Sequence, residues 1–369
     1  MSGGFVISLL FGFVYTIPLF FHDYSPNLAS AIFVLLYPTL FYLIPQYLEK
    51  RFKNPDSIFV VTTILVFCIA IWSIFMNLKD TVTTGEIVNL TRSLATSMSD
   101  FQGVATATTH NMMLALAVGG VGMIFVKPQD KVEGFSKAAI VIFGFLALFC
   151  ALHLLNRTSL FLAVAACMVP FIVKGFTPKS LLIFLLIIAA IVIIFYVFIL
   201  DSEYYKIVEA GFETRERKSS YDISSGGGRD VRMMTAILQI PEYPFGTDFL
   251  YFGHRNTYAH NTWLDSGIQS GWIALFLLLY ITVKFLITGY KTIFKNKDVP
   301  RFWRTYLGIL SLMMLMQLFV EPVIQGVAVL FFMMFYLWSL FNVLNRRYNY
   351  SKVKQYFKSE NQIHTPAAS

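Results

Sequence analysis

Charge is what this 369-residue chain has least of: Asp, Glu, Lys and Arg make up 14% of it, against 56% for apolar types. A water-soluble globular chain carries about 25% charged and roughly 45–50% apolar residues, so that class is excluded. Cysteine is nearly absent too. Cys68, Cys150 and Cys167 each sit inside an apolar run and form no CxxC pair, which suggests neither a disulfide framework nor a metal cage. There is no HExxH, no cluster of metal ligands, no GxSxG elbow and no Walker lysine. Thirty-seven Phe and 19 Tyr exclude a disordered or collagenous chain. What remains is an integral membrane protein. The net charge of +8 would point to nucleic acid in a soluble protein; here it belongs to loops, and no nucleic-acid partner is expected.

A helix needs about 20 mostly apolar residues to cross the hydrocarbon core. On that basis ten spans are expected, at 4–21, 28–48, 58–78, 110–126, 136–155, 158–174, 180–200, 268–290, 304–321 and 324–345. Prolines 18, 38, 45, 170 and 322 fall in or near spans, where membrane helices tolerate them. The first span has no basic flank and no cleavage site after it, so it reads as retained helix rather than signal peptide. Nineteen of the 29 Lys and Arg fall in loops and tail on one side, and three in the short loops of the other. Basic short loops mark the cytoplasmic side, which puts both termini there and the long segment 201–267 outside. The fold class is therefore all-α polytopic membrane protein, with about ten transmembrane helices and one long external loop containing short helices. Residues 1–200 hold spans one to seven, 268–345 hold spans eight to ten, and 346–369 form a basic tail, disordered after Glu360. The Thr/Ser-rich stretch 79–109 has the composition of an amphipathic or re-entrant helix.

The middles of the spans contain no Asp, Glu, Lys, Arg or His. Ionisable groups there would mark an ion or solute pathway. They crowd instead at the external helix ends, where five of the six histidines fall. Arg157, in the tight turn Leu155-Asn156-Arg157-Thr158-Ser159, reads either as a snorkelling side chain or as a guanidinium gripping a lipid phosphate. In the long loop, the glycine-rich approach 219–228 precedes a helix from Arg229 to Leu238, stopped by Pro241 and the Pro244-Phe245-Gly246 turn. Arg229 and Arg232, three apart, share a face of that helix, and its first turn offers free N–H groups. The alternative is a solvated basic face.

His260-Asn261-Thr262-Trp263-Leu264-Asp265 leads into the eighth span. If helix runs through it, His260, Leu264, Gly267 and Gly271 share one face, and the small residues leave a slot for a partner helix or lipid chain. Asp265 would then lie about 140° round the helix from His260, too far for a His–Asp dyad. A structural histidine is the plainer reading. Glu321, beside Pro322 at the external end of the ninth span, reads as an interfacial carboxylate or as a second acid/base group.

Taken in order, three elements resemble the O-antigen polymerase / O-antigen ligase family of bacterial envelope glycosyltransferases. They are Asn156-Arg157-Thr158-Ser159-Leu160; Gly228-Arg229 with its helix and Pro244-Phe245-Gly246; and His260-Asn261 followed after nine residues by Gly271. The resemblance covers about 155 to 290 and reaches the amino-terminal spans by hydropathy alone. It implies a periplasmic loop on a bacterial inner-membrane protein and transfer of a glycan from an undecaprenyl-pyrophosphate donor to a sugar acceptor. Arg157 and Arg229 would bind the pyrophosphate, and His260 would sit at the transfer centre as base or positioning group. Arg232, Asn261, Asn156 and Glu321 would contact substrate around them. Neither metal, nucleotide nor other cofactor is implied, and chain-length regulator proteins would be partners. The ligase form of the motif carries Gly, Thr or Tyr three residues after its last glycine. This chain has Ala274, so a polymerase is expected, with a ligase transferring to lipid A-core as the alternative. A flippase of lipid-linked oligosaccharide is the rival from another class, and the uncharged span middles speak against it.

Overall fold

The structure is a computed structural model that describes residues 3–21, 28–52, 54–89, 93–95, 104–175, 229–248, 250–252 and 255–363. The chain is an all-α polytopic membrane protein. Nine of the ten expected spans are helices; the other, 180–200, lies outside the described residues, as do 201–228 and the glycine-rich approach. The apolar helices are α1 (Gly3–Leu19), α2 (Leu28–Arg51), α3 (Pro55–Thr84), α4 (Ala107–Val118), α5 (Lys131–His153) and α6 (Arg157–Lys174). A 3-10 segment, Gly119–Phe125, extends α4. Beyond α7 (Arg229–Gln239) in the loop come α8 (Thr262–Tyr290), α9 (Arg301–Val320), the single turn α10 (Val323–Gly326) and α11 (Ala328–Ile363). Seven of these helices are long and apolar enough to cross a membrane, and α1 and α6 are shorter apolar helices.

Local chemistry sets many of the boundaries. Asn54 caps α3 by accepting from Asp56 N, with Pro55 in the first turn, where its missing N–H costs nothing. Asp130 caps α5 through Glu133 N (2.8 Å), while Glu133 reaches back to Gln129 N (2.6 Å). Prolines 18, 38, 45 and 170 lie inside helices. Helix α11 runs past the expected end at 345 and past Glu360, because nothing from Arg346 to Ile363 is Gly or Pro. The stretch 79–109 also departs from expectation. Helix α3 carries on to Thr84 and stops at left-handed Gly85, and no further helix starts before Ala107 among the described residues. In its place β1 (Ser93–Ala95) pairs antiparallel with β2 (Val104–Thr106), and Leu94 buries against Met76 and Leu154. A second ladder, β3 (Leu250–Phe252) with β4 (Arg255–Thr257), lies in the long loop.

Helices α4, α9 and α11 form the interior. The spanning window of α11 is 78% buried, against 33% for α2, α5 and α8. Phe331 and Phe335 of α11 meet Phe11 and each other, Phe332 meets Phe331, and Trp303 stacks on Phe59 at 4.6 Å. The outer helices present Phe135, Ile142, Ile273 and Phe276 outward, as side chains facing lipid should.

Each end of the bundle is tied by its own contacts. At the basic end, Trp303 Nε1 donates to Asp56 (3.2 Å), Arg346 pairs with Glu49 (3.0 Å), and Arg304 donates to the Ile293 carbonyl (3.1 Å). At the opposite end His153 sits between Asp80 (2.9 Å) and the Ile87 carbonyl (2.9 Å), and its own carbonyl accepts from Asn89 N (2.7 Å). That second end also carries Glu321, at the terminus of α9, and His260, just before α8.

Candidate functional site

The site is assembled where α8 begins, α9 ends and α7 crosses over them. Asn261 caps α8: its Oδ1 accepts from Leu264 N (3.1 Å), while its Nδ2 donates to the Phe319 carbonyl in the last turn of α9 (3.2 Å). The next residue repeats the tie, since Thr262 Oγ1 donates to the Glu321 carbonyl (2.9 Å) and lies 3.2 Å from Val323 N. Two adjacent side chains thus lock the start of α8 onto the end of α9. Both polar atoms of the Asn261 amide are engaged in this, so its part is to hold the site together.

His260 lies outside the helix, contrary to the shared-face expectation. Its φ is +56°, a left-handed conformation that a residue with a side chain rarely adopts. Asp265, 1% exposed, holds it there by accepting from Ala259 N (2.6 Å) and Asn261 N (3.0 Å), the amides flanking His260. The expectation that Asp265 cannot form a dyad with the imidazole agrees with this geometry. The helical-wheel argument nonetheless missed how Asp265 acts, which is on the backbone either side of the histidine. Residues held in sparsely populated backbone conformations cluster at active sites, which makes His260 a candidate.

Glu321 is the centre of the cluster. Its side chain is 3% exposed, and Oε1 accepts from Arg229 at 3.1 Å. Its Oε2 lies 3.5 Å from His260 Nδ1, outside hydrogen-bond alignment, and neither of those two buried atoms has a hydrogen-bond partner. A carboxylate withdrawn from water needs such neighbours, because burying it unpaired would cost several kcal/mol. The interfacial reading of Glu321 does not describe this place. His260 and Arg229 keep 21% and 30% of their side chains exposed, so the cluster has a buried floor and an accessible rim.

Arg229 reaches that floor because α7 packs on α8. Ala236 and Ile240 of the α7 segment bury against Leu264 and Ile268. Arg232, on the same face as Arg229, has its Nε buried without a hydrogen-bond partner.

The segment after α7 is pinned at a break in α8. Gly271 has φ +81° and ψ −173°, so α8 is two helices joined at that residue. There Trp272 N donates to the Pro244 carbonyl (3.2 Å) and Thr247 N to the Ile268 carbonyl (2.6 Å). A Cβ on Gly271 would overlap the Pro244 carbonyl, and one on Gly246 the Gln269 carbonyl. The expected slot beside the small residues is therefore filled by the protein's own loop, backbone against backbone, with Ile240 over Gly267.

No known protein family and no characterised protein matches the chain.

Arg157 is the first residue of α6; its side chain lies outside the described residues. Its backbone belongs to the same end of the bundle. Ser159 donates to Asn111 (2.5 Å), Asn111 Nδ2 lies 3.5 Å from Gln317 Oε1, and the Gln317 carbonyl accepts from Glu321 N (2.9 Å). Asn156, 5% exposed, closes the turn before α6 through its N–H on the Ala151 carbonyl (2.8 Å). Reading the sequence missed this buried polar file and the ties of Thr262 and Asp265. A carboxylate and an amide at the apolar end of α9 were the one available signal, since both need buried partners.

Proposed function

We propose that the chain is a membrane glycosyltransferase that moves a glycan from an undecaprenyl-pyrophosphate donor to a sugar hydroxyl at the external face of a bacterial inner membrane. In this reading it is a surface-polysaccharide polymerase of the O-antigen type, and both termini are cytoplasmic. The observation that carries the reading is the convergence of Arg229, Glu321 and His260 at one end of the bundle, at the rim of the apolar interior.

In the proposed step His260 accepts the proton of the acceptor hydroxyl as that oxygen bonds to the anomeric carbon. The bond from that carbon to the lipid pyrophosphate breaks, and its electron pair leaves with the pyrophosphate. Imidazole suits the task because its ordinary pKa lies near physiological pH. Glu321 stabilises the imidazolium that forms, and the 3.5 Å gap closes as the charge develops. The Arg229 guanidinium, held by one N–H on Glu321, turns its other donors to the leaving pyrophosphate, where Arg232 and Arg157 add positive charge. No strong acid is required, since the leaving group is already a stable anion.

Ala274 is the only residue that favoured polymerase over ligase, and it is fully buried in α8 below the Gly271 break. Its side chain meets helix packing and no substrate, so transfer to lipid A-core stays the alternative product. The test uses purified protein in lipid with undecaprenyl-pyrophosphate oligosaccharide alone. A ladder of longer lipid-linked glycans, lost in His260→Ala, is expected. If no ladder forms and adding lipid A-core yields no conjugate either, the transferase reading falls and the flippase takes its place.

A further inference from the structure

A pocket of about 410 Å³ lies at the basic end of the bundle, far from the cluster around Glu321, between the end of α8 and the outer part of α11. It begins at Thr288, where the apolar run of α8 gives out, which is headgroup depth for a spanning helix. Beyond Tyr290 the helix widens to a π turn over Lys291–Lys295, closed by Asn296 N on the Lys291 carbonyl (2.8 Å). A π turn is a common way to end a helix. This one brings Lys291 and Lys295 to the same wall, opposite Arg346 of α11.

Among the described residues, none of those lining the pocket is acidic. Among the described residues the one carboxylate paired with a lining cation is Glu49, which binds Arg346 at 3.0 Å; neither lysine has a carboxylate partner there, and Lys295 Nζ lies 5.6 Å from the Tyr290 ring. The amide nitrogens of Asn342 and Asn345 are already engaged, on the Tyr42 hydroxyl (3.3 Å) and the Thr288 carbonyl (3.3 Å). Asn296 differs: its Nδ2 is buried with no hydrogen-bond partner. An orphaned buried donor beside three cations calls for an anionic acceptor.

We infer that this pocket binds a phosphate-bearing anion at the membrane surface, through Lys291, Lys295, Arg346 and the Asn296 amide. The same chemistry is offered by an anionic lipid headgroup and by free phosphate. The site is separate from the proposed transfer centre and does not depend on that reading.

The test titrates the purified full-length chain in detergent with short-chain phosphatidylglycerol, phosphatidylcholine of the same chain length, and inorganic phosphate, with binding read by native mass spectrometry. One phosphatidylglycerol should bind per chain, at least about tenfold tighter than phosphatidylcholine, because each charge-assisted contact is worth at least that factor. The Lys291→Gln/Lys295→Gln pair should lose about tenfold or more, and Asn296→Asp should lose binding by placing a carboxylate where a donor is needed. Lys284→Gln, which removes a half-buried cation sitting over Tyr280 outside the pocket, should change nothing. Displacement of the lipid by inorganic phosphate would name the free anion as the ligand and keep the site. Equal binding of the two lipids, or an undiminished double variant, would overturn the proposal.

Discussion

Glu321 Oε2 stands 3.5 Å from His260 Nδ1, and neither atom has a hydrogen-bond partner while the other oxygen of the same carboxylate holds Arg229. One buried carboxylate therefore links a cation and an imidazole contributed by different parts of the chain. Removing its charge should disturb both at once. Glu321→Gln should slow glycan transfer roughly ten- to a hundredfold, the value of a charge-assisted contact of about 1.5–3 kcal/mol. His260→Ala should abolish transfer. Rates of ladder growth on lipid-linked oligosaccharide check both, and a fully active Glu321→Gln would remove the carboxylate from the mechanism.

Arg229→Ala should cost more than activity. It leaves the Glu321 carboxylate, 3% exposed, without its cation. A fully buried pair broken in this way loses about 3–5 kcal/mol; with Arg229 itself 30% exposed, a smaller loss is expected here. The double variant Arg229→Ala/Glu321→Gln should recover part of that stability in detergent melting curves while transfer stays lost. Failure to recover would mean that the two side chains are not coupled.

Gly271→Ala should destabilise the protein measurably. Its backbone, at φ +81° and ψ −173°, lies in a region open essentially to glycine alone and would cost an alanine about 1–3 kcal/mol, and the added methyl would press on the Pro244 carbonyl. Gly134→Ala, where an added Cβ meets nothing within 4 Å, is the control and should leave the melting temperature unchanged or raised. Equal effects at the two positions would argue against the break in α8.

Asn261 offers a way to separate capping from tying. Asn261→Asp keeps the acceptor for Leu264 N but has no N–H for the Phe319 carbonyl, whereas Asn261→Ala loses both, the cap alone being worth about 1 kcal/mol. Asp should therefore melt above Ala, and both should transfer glycan slowly because His260 is no longer held against Glu321. A wild-type rate in either would detach Asn261 from the positioning of His260.

Orientation can be read with an impermeant thiol reagent on intact cells. Glu86→Cys, exposed at the end of the bundle that carries the cluster, should label from outside; Lys297→Cys, exposed at the basic end, should label only after permeabilisation. The reverse pattern would place the cluster in the cytoplasm and end the proposal of a periplasmic reaction.

The spans were legible because crossing a membrane is a local property: twenty apolar residues in a row announce themselves, whereas the caps Asn54, Asp130 and Asn261, which start helices ahead of the apolar runs, came only with the structure. Arg229, Arg232 and His260 were legible as candidates, since polar groups are few and crowd one end of the chain's helices. Their meeting was not. That Glu321 lies between Arg229 and His260 follows from how α7, α8 and α9 pack, and side chains far apart in sequence show no mark of sharing a buried partner. Helical periodicity put His260 on α8 because a wheel assumes unbroken helix, and it cannot register a left-handed residue at one end or a break at Gly271. The sequence by itself determined which segments enter the bilayer and which residue types stand at its surface. Only the tertiary structure decided which of those residues meet in one cluster, because that depends on backbone conformation and on contacts between distant segments.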